Sequence, residues 1–310
     1  MNLEQLDAKI AELQAQRAKL LNAKNSQPSP CLKSGNREIV VIGGAGQLGR
    51  LFVTQFRESG YVPHVVEKDD WQTSADLFAS AALVLVAVPI HKTLDVIAQL
   101  PKLADDCVLA DITSIKQKPV AAMLAVHDGP VVGLHPMFGP DANSFEAQTV
   151  IVSEGTQVDG YHWFLKQLEA WGAQLRFTDA AEHDRAMAMI QVLRHFSTIA
   201  YGNHLMQESV DLAEITELSS PIYRLELAMV GRLFAQQPEL YTEIIFSNKE
   251  NLDMMRRYIQ RFESLLDKVA AGDKKAFHES FAEVSTWFGE YAEQFLNESS
   301  DMLAYQRRLK

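Results

Sequence analysis

The sequence predicts an α/β protein, a doubly wound parallel sheet followed by an all-helical C-terminal domain. Three observations support this prediction. Strand-like and helix-like patterns alternate over residues 37–180, a glycine-rich loop directly follows the first strand, and strand patterns disappear from residue 181 onward. The chain of 310 residues is long enough for two domains with separate cores. We therefore predict three segments, residues 1–36, 37–180 and 181–310.

The first segment carries a short amphipathic pattern. Apolar residues such as Leu3, Leu6, Ile10 and Leu13 recur at intervals of three and four over residues 1–24, which predicts a solvated or self-associating helix. Residues 25–36 are rich in Pro, Ser, Asn and Gly and are predicted to be a linker.

The glycine-rich loop indicates a dinucleotide site. The apolar run 39–42 leads into Gly44-x-Gly46-x-x-Gly49, and the loop is followed by a helical pattern. We expect Gly44 to allow a tight turn, Gly46 to let a pyrophosphate approach the backbone, and Gly49 to let the helix pack on the strand. The helix N-terminus would offer its free N–H groups to the phosphates, at Gln47 and Leu48. A glycine turn alone is weak evidence, but this order of strand, loop and helix is typical of a Rossmann-type fold.

An acidic residue specifies the cofactor. The second strand, residues 62–66, ends at Glu67. The separation of Glu67 from Gly49 along the sequence is about that expected for an acidic residue that binds a ribose diol. Because a carboxylate would repel a 2′-phosphate, Glu67 favours NAD over NADP.

Later strands place further candidate residues at the same edge of the sheet. The run 83–88 ends at Val88 and Pro89, the run 108–112 precedes Ser114, and the run 131–134 ends at His135. Ligands of open α/β sheets bind at the carboxyl ends of strands. Strands are also predicted at 149–152 and 174–177, with a helix at 159–171 between them.

The helical domain has two recognisable helix starts. Asp179 and Glu182 resemble a capping box, and a continuous apolar pattern follows to about residue 200. Ser220 and Pro221 fit the N-cap and the first position of another helix.

Three groups of residues could carry chemistry, each with a structural alternative. Ser114 and Lys116 could belong to a helix cap with a solvated lysine, and His135 could be a buried core histidine. Arg224 and Arg232 project about 80° apart on one helix. Surface exposure is usual for arginine, but the apolar neighbours of Arg232 suggest an anionic partner. The histidines 183, 195 and 204 lack the spacing of a known metal motif, so no metal site is predicted.

The bulk composition excludes several classes. A net charge of −11 argues against nucleic acid and anionic membrane surfaces as partners. Two cysteines suit a reducing compartment, and no apolar run is long enough to cross a membrane. We therefore expect a cytoplasmic protein.

Several motifs resemble the prephenate dehydrogenase family, of the enterobacterial type that is usually fused to a chorismate mutase. The resemblance covers about residues 37–300. It is carried by the glycine loop, Val88-Pro89-Ile90-His91, Asp111–Lys116, Leu134-His135-Pro136-Met137-Phe138-Gly139-Pro140, Glu182-His183-Asp184, Leu193-Arg194-His195-Phe196 and Ser219–Arg232.

The resemblance implies NAD-dependent oxidative decarboxylation of prephenate to 4-hydroxyphenylpyruvate, in tyrosine biosynthesis. It also implies a helical domain that dimerises and binds substrate, and feedback inhibition by tyrosine. The family's catalytic histidine matches His135, with Ser114 beside it, and its substrate-binding residues match Arg232, Arg224, Lys116, His195 and Tyr241. A neutral His135 could accept the proton of the ring hydroxyl. The alternatives are an arogenate or dual-substrate dehydrogenase, and a catalytically inactive regulatory protein that senses tyrosine or NAD. Residues 1–36 are too few for a complete mutase domain, so no mutase activity is expected.

Overall fold

The computed structural model divides the chain into two compact units, Met1–Asp184 and Arg185–Lys310. It describes residues 5, 6, 9, 12, 13, 16, 30–33, 35, 38–71, 74–139 and 142–308. The predicted helix over residues 1–24 and the linker over residues 25–36 lie largely outside the described residues; those described between residues 5 and 16 are helical and exposed.

The first unit alternates strands and helices around one sheet. Its strands are β1 (Ile39–Ile42), β2 (Pro63–Val66), β3 (Leu83–Val86), β4 (Val108–Asp111), β5 (Val131–Pro136), β6 (Thr149–Thr156) and β7 (Gln174–Phe177). Its helices are α1 (Gln47–Glu58), α2 (Ala75–Ser80), α3 (Ile90–Ala98), α4 (Gln117–Val126), α5 (Val158–Ala170) and α6 (Ala180–Met187), the last of which continues into the second unit.

The seven strands lie in the order β2-β1-β3-β4-β5-β6-β7. The first five are parallel, as predicted, whereas β6 pairs antiparallel with β5 and β7 lies parallel to β6. The sheet is therefore mixed and not wholly parallel. The physical reason is the connection between β5 and β6, which contains no helix among its described residues and so does not return the chain to the starting edge of the sheet.

The strand order creates a switch point between β1 and β3. These two strands pair directly, and from them the chain crosses to β2 on one side and to β4 on the other. The carboxyl ends at such a point diverge and leave a crevice for ligands. The glycine loop after β1 and the Val88-Pro89 segment after β3 both lie at this crevice.

Apolar cores cover both faces of the sheet. On one face an aromatic group includes Phe52 and Phe145, whose ring centroids lie 4.9 Å apart in an edge-to-face arrangement. The other face buries Ile42, Phe78 and Met123. Because β1, β3, β4 and β5 are buried along their whole length, they form near-continuous apolar runs. This rigid support fixes the residues at the strand ends.

The second unit is helical. Its elements are a π-helical segment Ala188–Leu193, α7 (Arg194–Gln207), α8 (Leu212–Leu218), α9 (Pro221–Phe234), α10 (Pro238–Phe246), α11 (Glu250–Ala270), α12 (Lys274–Phe288) and α13 (Glu290–Arg308). The π-helical segment interrupts the helix that was predicted to run continuously to residue 200. Such segments are frequent at functional sites. The N-cap prediction for α9 is confirmed, because the hydroxyl of Ser220 accepts from the amide of Tyr223.

Large apolar side chains are exposed along the second unit. Trp287 and Phe246 are each 80% exposed and Phe281 is 69% exposed in the single chain. Exposed apolar side chains mark an interface where they form a contiguous patch. Among the described residues, no helix is long and apolar enough to span a membrane.

Candidate active site

The glycine loop is built for close backbone approach. Gly43 has a φ of +79°, and a Cβ there would lie 2.6 Å from the carbonyl oxygen of Ala87. The positive φ of the turn is at Gly43 and not at Gly44, where the absence of a side chain instead makes room for Val65, since a Cβ there would lie 2.8 Å from a Cγ of Val65. A Cβ at Gly49 would lie 2.5 Å from the carbonyl oxygen of Gly43, so this glycine lets α1 pack against the loop.

The N-terminus of α1 is open to a ligand. Gly46 is its N-cap residue and, having no side chain, leaves the first amides of the helix without a side-chain cap. Gln47 is exposed and Leu48 is half-buried in the first turn. Uncapped amides and the positive end of the helix dipole suit a phosphate group.

Glu67 lies beside this loop. Its Oε1 accepts from the backbone amide of Ala45 at 2.9 Å, and its own amide donates to Asp70. The half-buried carboxylate is thus held at the end of β2, next to the glycine turn. On the other side of the turn, a Cγ of Val88 would lie 3.0 Å from a Cβ at Gly43, and Pro89 is the N-cap of α3.

The end of β4 carries a buried ion pair. The ammonium of Lys116 and the carboxylate of Asp111 are both fully buried and in direct contact. The same carboxylate oxygen accepts from the amide and the hydroxyl of Thr113. A Cβ at Gly133 would lie 3.1 Å from Cδ of Lys116, so the absence of a side chain in β5 makes room for the pair.

Lys116 therefore differs from its predicted role. We predicted a cation that contacts substrate, but its charge is neutralised by Asp111 inside the protein. Ser114 lies half-buried in the same loop, between β4 and α4.

His135 is the first member of a hydrogen-bonded series. It is only 2% exposed, and its Nδ1 lies 2.8 Å from Nε2 of His183. Nδ1 of His183 lies 2.8 Å from Oδ1 of Asp184. The carboxylate of Asp184 also accepts from the amides of Lys116 and Gln117, which begin α4. The series joins β5, α6 and the start of α4.

Burial and nearby charge set the protonation of these groups. Burial, His183 and Lys116 together lower the pKa of His135 well below its ordinary value of 6.5. His135 is therefore neutral at pH 7 and able to accept a proton. Burial would raise the pKa of Asp184, but hydrogen bonds from His183 and from the two α4 amides outweigh it and lower that pKa.

Sequence reasoning placed His183 among the lower-ranked histidines and gave Asp184 no role. The available signal was weak: the two residues occur in the Glu182-His183-Asp184 motif but are far from His135 along the chain. Their contact with His135 depends on the path of the chain from β5 to α6. Asp111 was likewise not predicted as a partner of Lys116.

The remaining predicted residues belong to the second unit. His195 and Tyr241 make an edge-to-face contact with ring centroids 4.7 Å apart, and Tyr241 is buried. Burial, aided by Arg194, lowers the pKa of His195. On α9, Arg224 is half-buried, whereas Arg232 and its neighbours Met229 and Phe234 are exposed in the single chain. Among the apolar neighbours of Arg232, Val230 is buried and Leu233 is half-buried, so this part of α9 has one face packed and one face exposed in the single chain.

Metal binding has no support in the described part of the chain. No group of three or more His, Cys, Asp or Glu residues there could hold an ion.

Family models match both units. The model described as "Prephenate dehydrogenase, nucleotide-binding domain" matches residues 65–174, and the one described as "Prephenate dehydrogenase, dimerization domain" matches residues 179–283. The glycine loop lies outside the matched ranges.

Two proteins are similar to this chain over most of its length. A protein named "T-protein" from Enterobacter agglomerans is 52% identical over 86% of this chain and 72% of its own length. A "T-protein" from Haemophilus influenzae is 45% identical over 90% of this chain and 74% of its own length.

A solved structure shows a similar fold. The prephenate dehydrogenase from A. aeolicus, crystallised with hydroxyphenyl propionate and NAD+, has a TM-score of 0.65 at 19% identity over 84% of this chain and all of that one. With the two domain models and the relatives above, these findings show that the chain belongs to the prephenate dehydrogenase family of NAD-dependent enzymes.

Proposed function

We propose that this enzyme converts prephenate to 4-hydroxyphenylpyruvate and carbon dioxide in tyrosine biosynthesis, with His135 as the proton acceptor. The observation that carries the proposal is the buried His135 at the carboxyl end of β5, bonded to His183 and kept neutral by burial and by the charge of Lys116. A neutral, oriented imidazole at the ligand-binding edge of the sheet is what general-base catalysis requires.

The residues after β1, β2 and β3 fit NAD. The uncapped amides of α1 would bind the pyrophosphate, and the narrow turn at Gly43 keeps the loop backbone accessible. Glu67 Oε1 is engaged with Ala45, and its carboxylate would accept from the ribose hydroxyls. Val88 and Pro89 would line the crevice. Bound NAD supplies the hydride acceptor.

The chemistry assigns His135 a transient role. As hydride leaves the ring carbon that bears the hydroxyl, positive character develops there and the hydroxyl proton becomes acidic. His135 accepts this proton, carbon dioxide leaves from the opposite ring carbon, and the ring becomes aromatic. The proton then returns to the phenolic oxygen, so the reaction consumes no net base. Ser114 would orient the hydroxyl.

Prephenate carries two carboxylates, and the helical unit offers the cations. We assign carboxylate binding to Arg232, with Arg224, His195 and Tyr241 completing the substrate surface. Arg232 is exposed and its guanidinium suits a two-pronged carboxylate contact. Lys116 is excluded from this surface because its ammonium is buried on Asp111.

We also propose a homodimer through the helical unit, supported by the match to the dimerisation model and by the exposed apolar side chains of α10 and α12. Inhibition by tyrosine follows from the family resemblance alone and belongs to the proposal.

Absorbance at 340 nm tests the function directly. With NAD and prephenate we expect NADH formation accompanied by carbon dioxide release. With NAD and arogenate in place of prephenate we expect a much lower kcat/KM. Equal kcat/KM values for the two substrates would show a dual-substrate dehydrogenase, and a higher kcat/KM with arogenate would make arogenate the substrate. If neither substrate is converted, the catalytically inactive regulatory protein is the remaining alternative.

A further inference from the structure

The series from His135 to Asp184 defines which nitrogen of His135 can react. Asp184 is ionised and can only accept hydrogen bonds, so Nδ1 of His183 must carry the hydrogen directed at it. In a neutral His183, Nε2 then has no hydrogen and accepts. The hydrogen bond between the two imidazoles must therefore be donated by Nδ1 of His135.

We propose that His183, anchored by Asp184, is the positioning residue of the reaction. It fixes His135 with its hydrogen on Nδ1, which makes Nε2 the atom that accepts the substrate proton, and it takes up the positive charge that this transfer creates. The proposal rests on the proposed function, since it concerns how His135 performs its step.

The charges around His135 explain why a partner is needed. A proton held by His135 alone would place a cation in a buried site that already contains Lys116. Transfer of the Nδ1 hydrogen to Nε2 of His183 moves the charge to the imidazole that contacts the Asp184 carboxylate. The O–H bond of the substrate breaks as the Nε2–H bond of His135 forms, and the Nδ1–H bond of His135 breaks as the Nε2–H bond of His183 forms. Both transfers reverse when the proton returns to the product.

The anchor of Asp184 is itself well defined. Its two carboxylate oxygens accept from Lys116 N at 2.8 Å and Gln117 N at 3.1 Å. Because these amides begin α4, the helix dipole favours the ionised carboxylate. The orientation of His135 is thereby tied to the N-terminus of a helix on a neighbouring connection.

Two substitutions at one position separate the contacts of His183. In His183→Gln the side-chain amide reaches the place of Nε2 and its oxygen can accept from His135, but it cannot accept a proton. In His183→Asn the amide reaches only the place of Nδ1, so it can donate to Asp184 but does not reach His135. The control is His162→Gln, which makes the same exchange of histidine for glutamine at an exposed position of α5 and should leave kcat unchanged.

We expect His183→Asn to lower kcat by about 10- to 150-fold, the usual effect of losing a hydrogen bond to a charged group. We expect the KM for prephenate and for NAD to change little, and His183→Gln to recover part of the loss. Wild-type enzyme should show a solvent deuterium effect on kcat with a curved dependence on deuterium fraction, since two protons move. In His183→Gln the dependence should be linear.

Wild-type kcat in both variants would overturn the proposal, as would equal losses in the two or a change confined to KM. The proposed function is tested separately by His135→Asn. If that variant is inactive while both His183 variants are normal, His135 keeps its role and only the role of His183 fails.

Discussion

The residues predicted for the site have opposite surroundings in the two units. In the nucleotide unit, His135, Lys116 and Asp111 are buried, with Lys116 in contact with Asp111 and His135 hydrogen-bonded to His183. In the helical unit, Arg232 is exposed and Arg224 is half-buried on a helix that also exposes the apolar side chains of Met229 and Phe234. The predicted residues of the nucleotide unit are thus held by contacts within that unit, whereas Arg232 of the helical unit faces solvent in the single chain.

This difference implies a division of labour. Buried, multiply bonded groups have fixed orientation and shifted pKa values, which suits proton transfer. An exposed arginine such as Arg232 is accessible to a dianion from solvent, and an exposed charge contact has a smaller energetic value than a buried one. Substitutions in the first unit should therefore affect kcat or folding, and those in the second should affect KM.

The largest effect is expected at the proton acceptor. His135→Asn should lower kcat by about 10²- to 10⁴-fold, the usual value of a positioned acid–base group, with a modest change in KM. Steady-state NADH formation measures this. A near-normal kcat would show that His135 is not the proton acceptor. It would also contradict the proposal that residues of the nucleotide unit control kcat.

The pH dependence of the wild-type enzyme sharpens this prediction. Activity requires neutral His135, so it must fall as pH falls through the pKa of that group. Because burial, His183 and Lys116 lower this pKa, the acid limb of kcat/KM should lie below 6.5. An acid limb above 6.5 would contradict the buried environment.

The next effect concerns folding. Lys116→Met leaves the Asp111 carboxylate buried and unpaired, which should lower the free energy of unfolding by about 3–5 kcal/mol. Denaturant unfolding measures the loss. The exposed Lys118 on the same helix offers the control Lys118→Met, which should change stability little. Adding Asp111→Asn to Lys116→Met should recover part of the stability; no recovery would show that the charge of Asp111 is not the cause.

The sequence predicted the first unit better than the second, for a physical reason. Buried parallel strands have continuous apolar runs, and their carboxyl ends share one edge, so the positions of Glu67, Ser114 and His135 followed from local pattern alone. The antiparallel β6 could not be recognised, because an apolar run has no direction. The positive φ at Gly43 was missed because the Gly-x-Gly-x-x-Gly spacing begins at Gly44 and leaves Gly43 outside it.

Long-range contacts were beyond the sequence. Nothing local indicates that Lys116 turns inward to Asp111, or that His183 reaches His135 across a sequence separation of 48 positions. The exposure of Arg232 was also unpredictable, since apolar neighbours on a helix can face a core or a partner surface equally well.

A prediction of intermediate size tests the helical unit. Arg232→Ala should raise the KM for prephenate by about 10- to 150-fold, the value of a charge-assisted hydrogen bond, and leave the KM for NAD little changed. Arg232→Lys should recover only part, because an ammonium cannot form the two-pronged contact. Arg261→Ala, another exposed arginine of this unit, is the control. A loss in kcat with normal KM would break the proposed division between the units.

The smallest effect is expected at Glu67. Its side chain is half-buried, so its exposure is intermediate between that of His135 and that of Arg232. Its carboxylate is fixed by Ala45 yet accessible at the end of β2, so it should select the cofactor without taking part in proton transfer. The wild-type enzyme should prefer NAD strongly, and Glu67→Ala should reduce the ratio of kcat/KM for NAD over NADP by about tenfold, since it removes both an acceptor for the ribose and a repulsive charge. Glu58→Ala, on the exposed end of α1, should leave the ratio unchanged. If Glu67→Ala instead lowers kcat with both cofactors equally, Glu67 supports the loop through Ala45 and does not read the ribose.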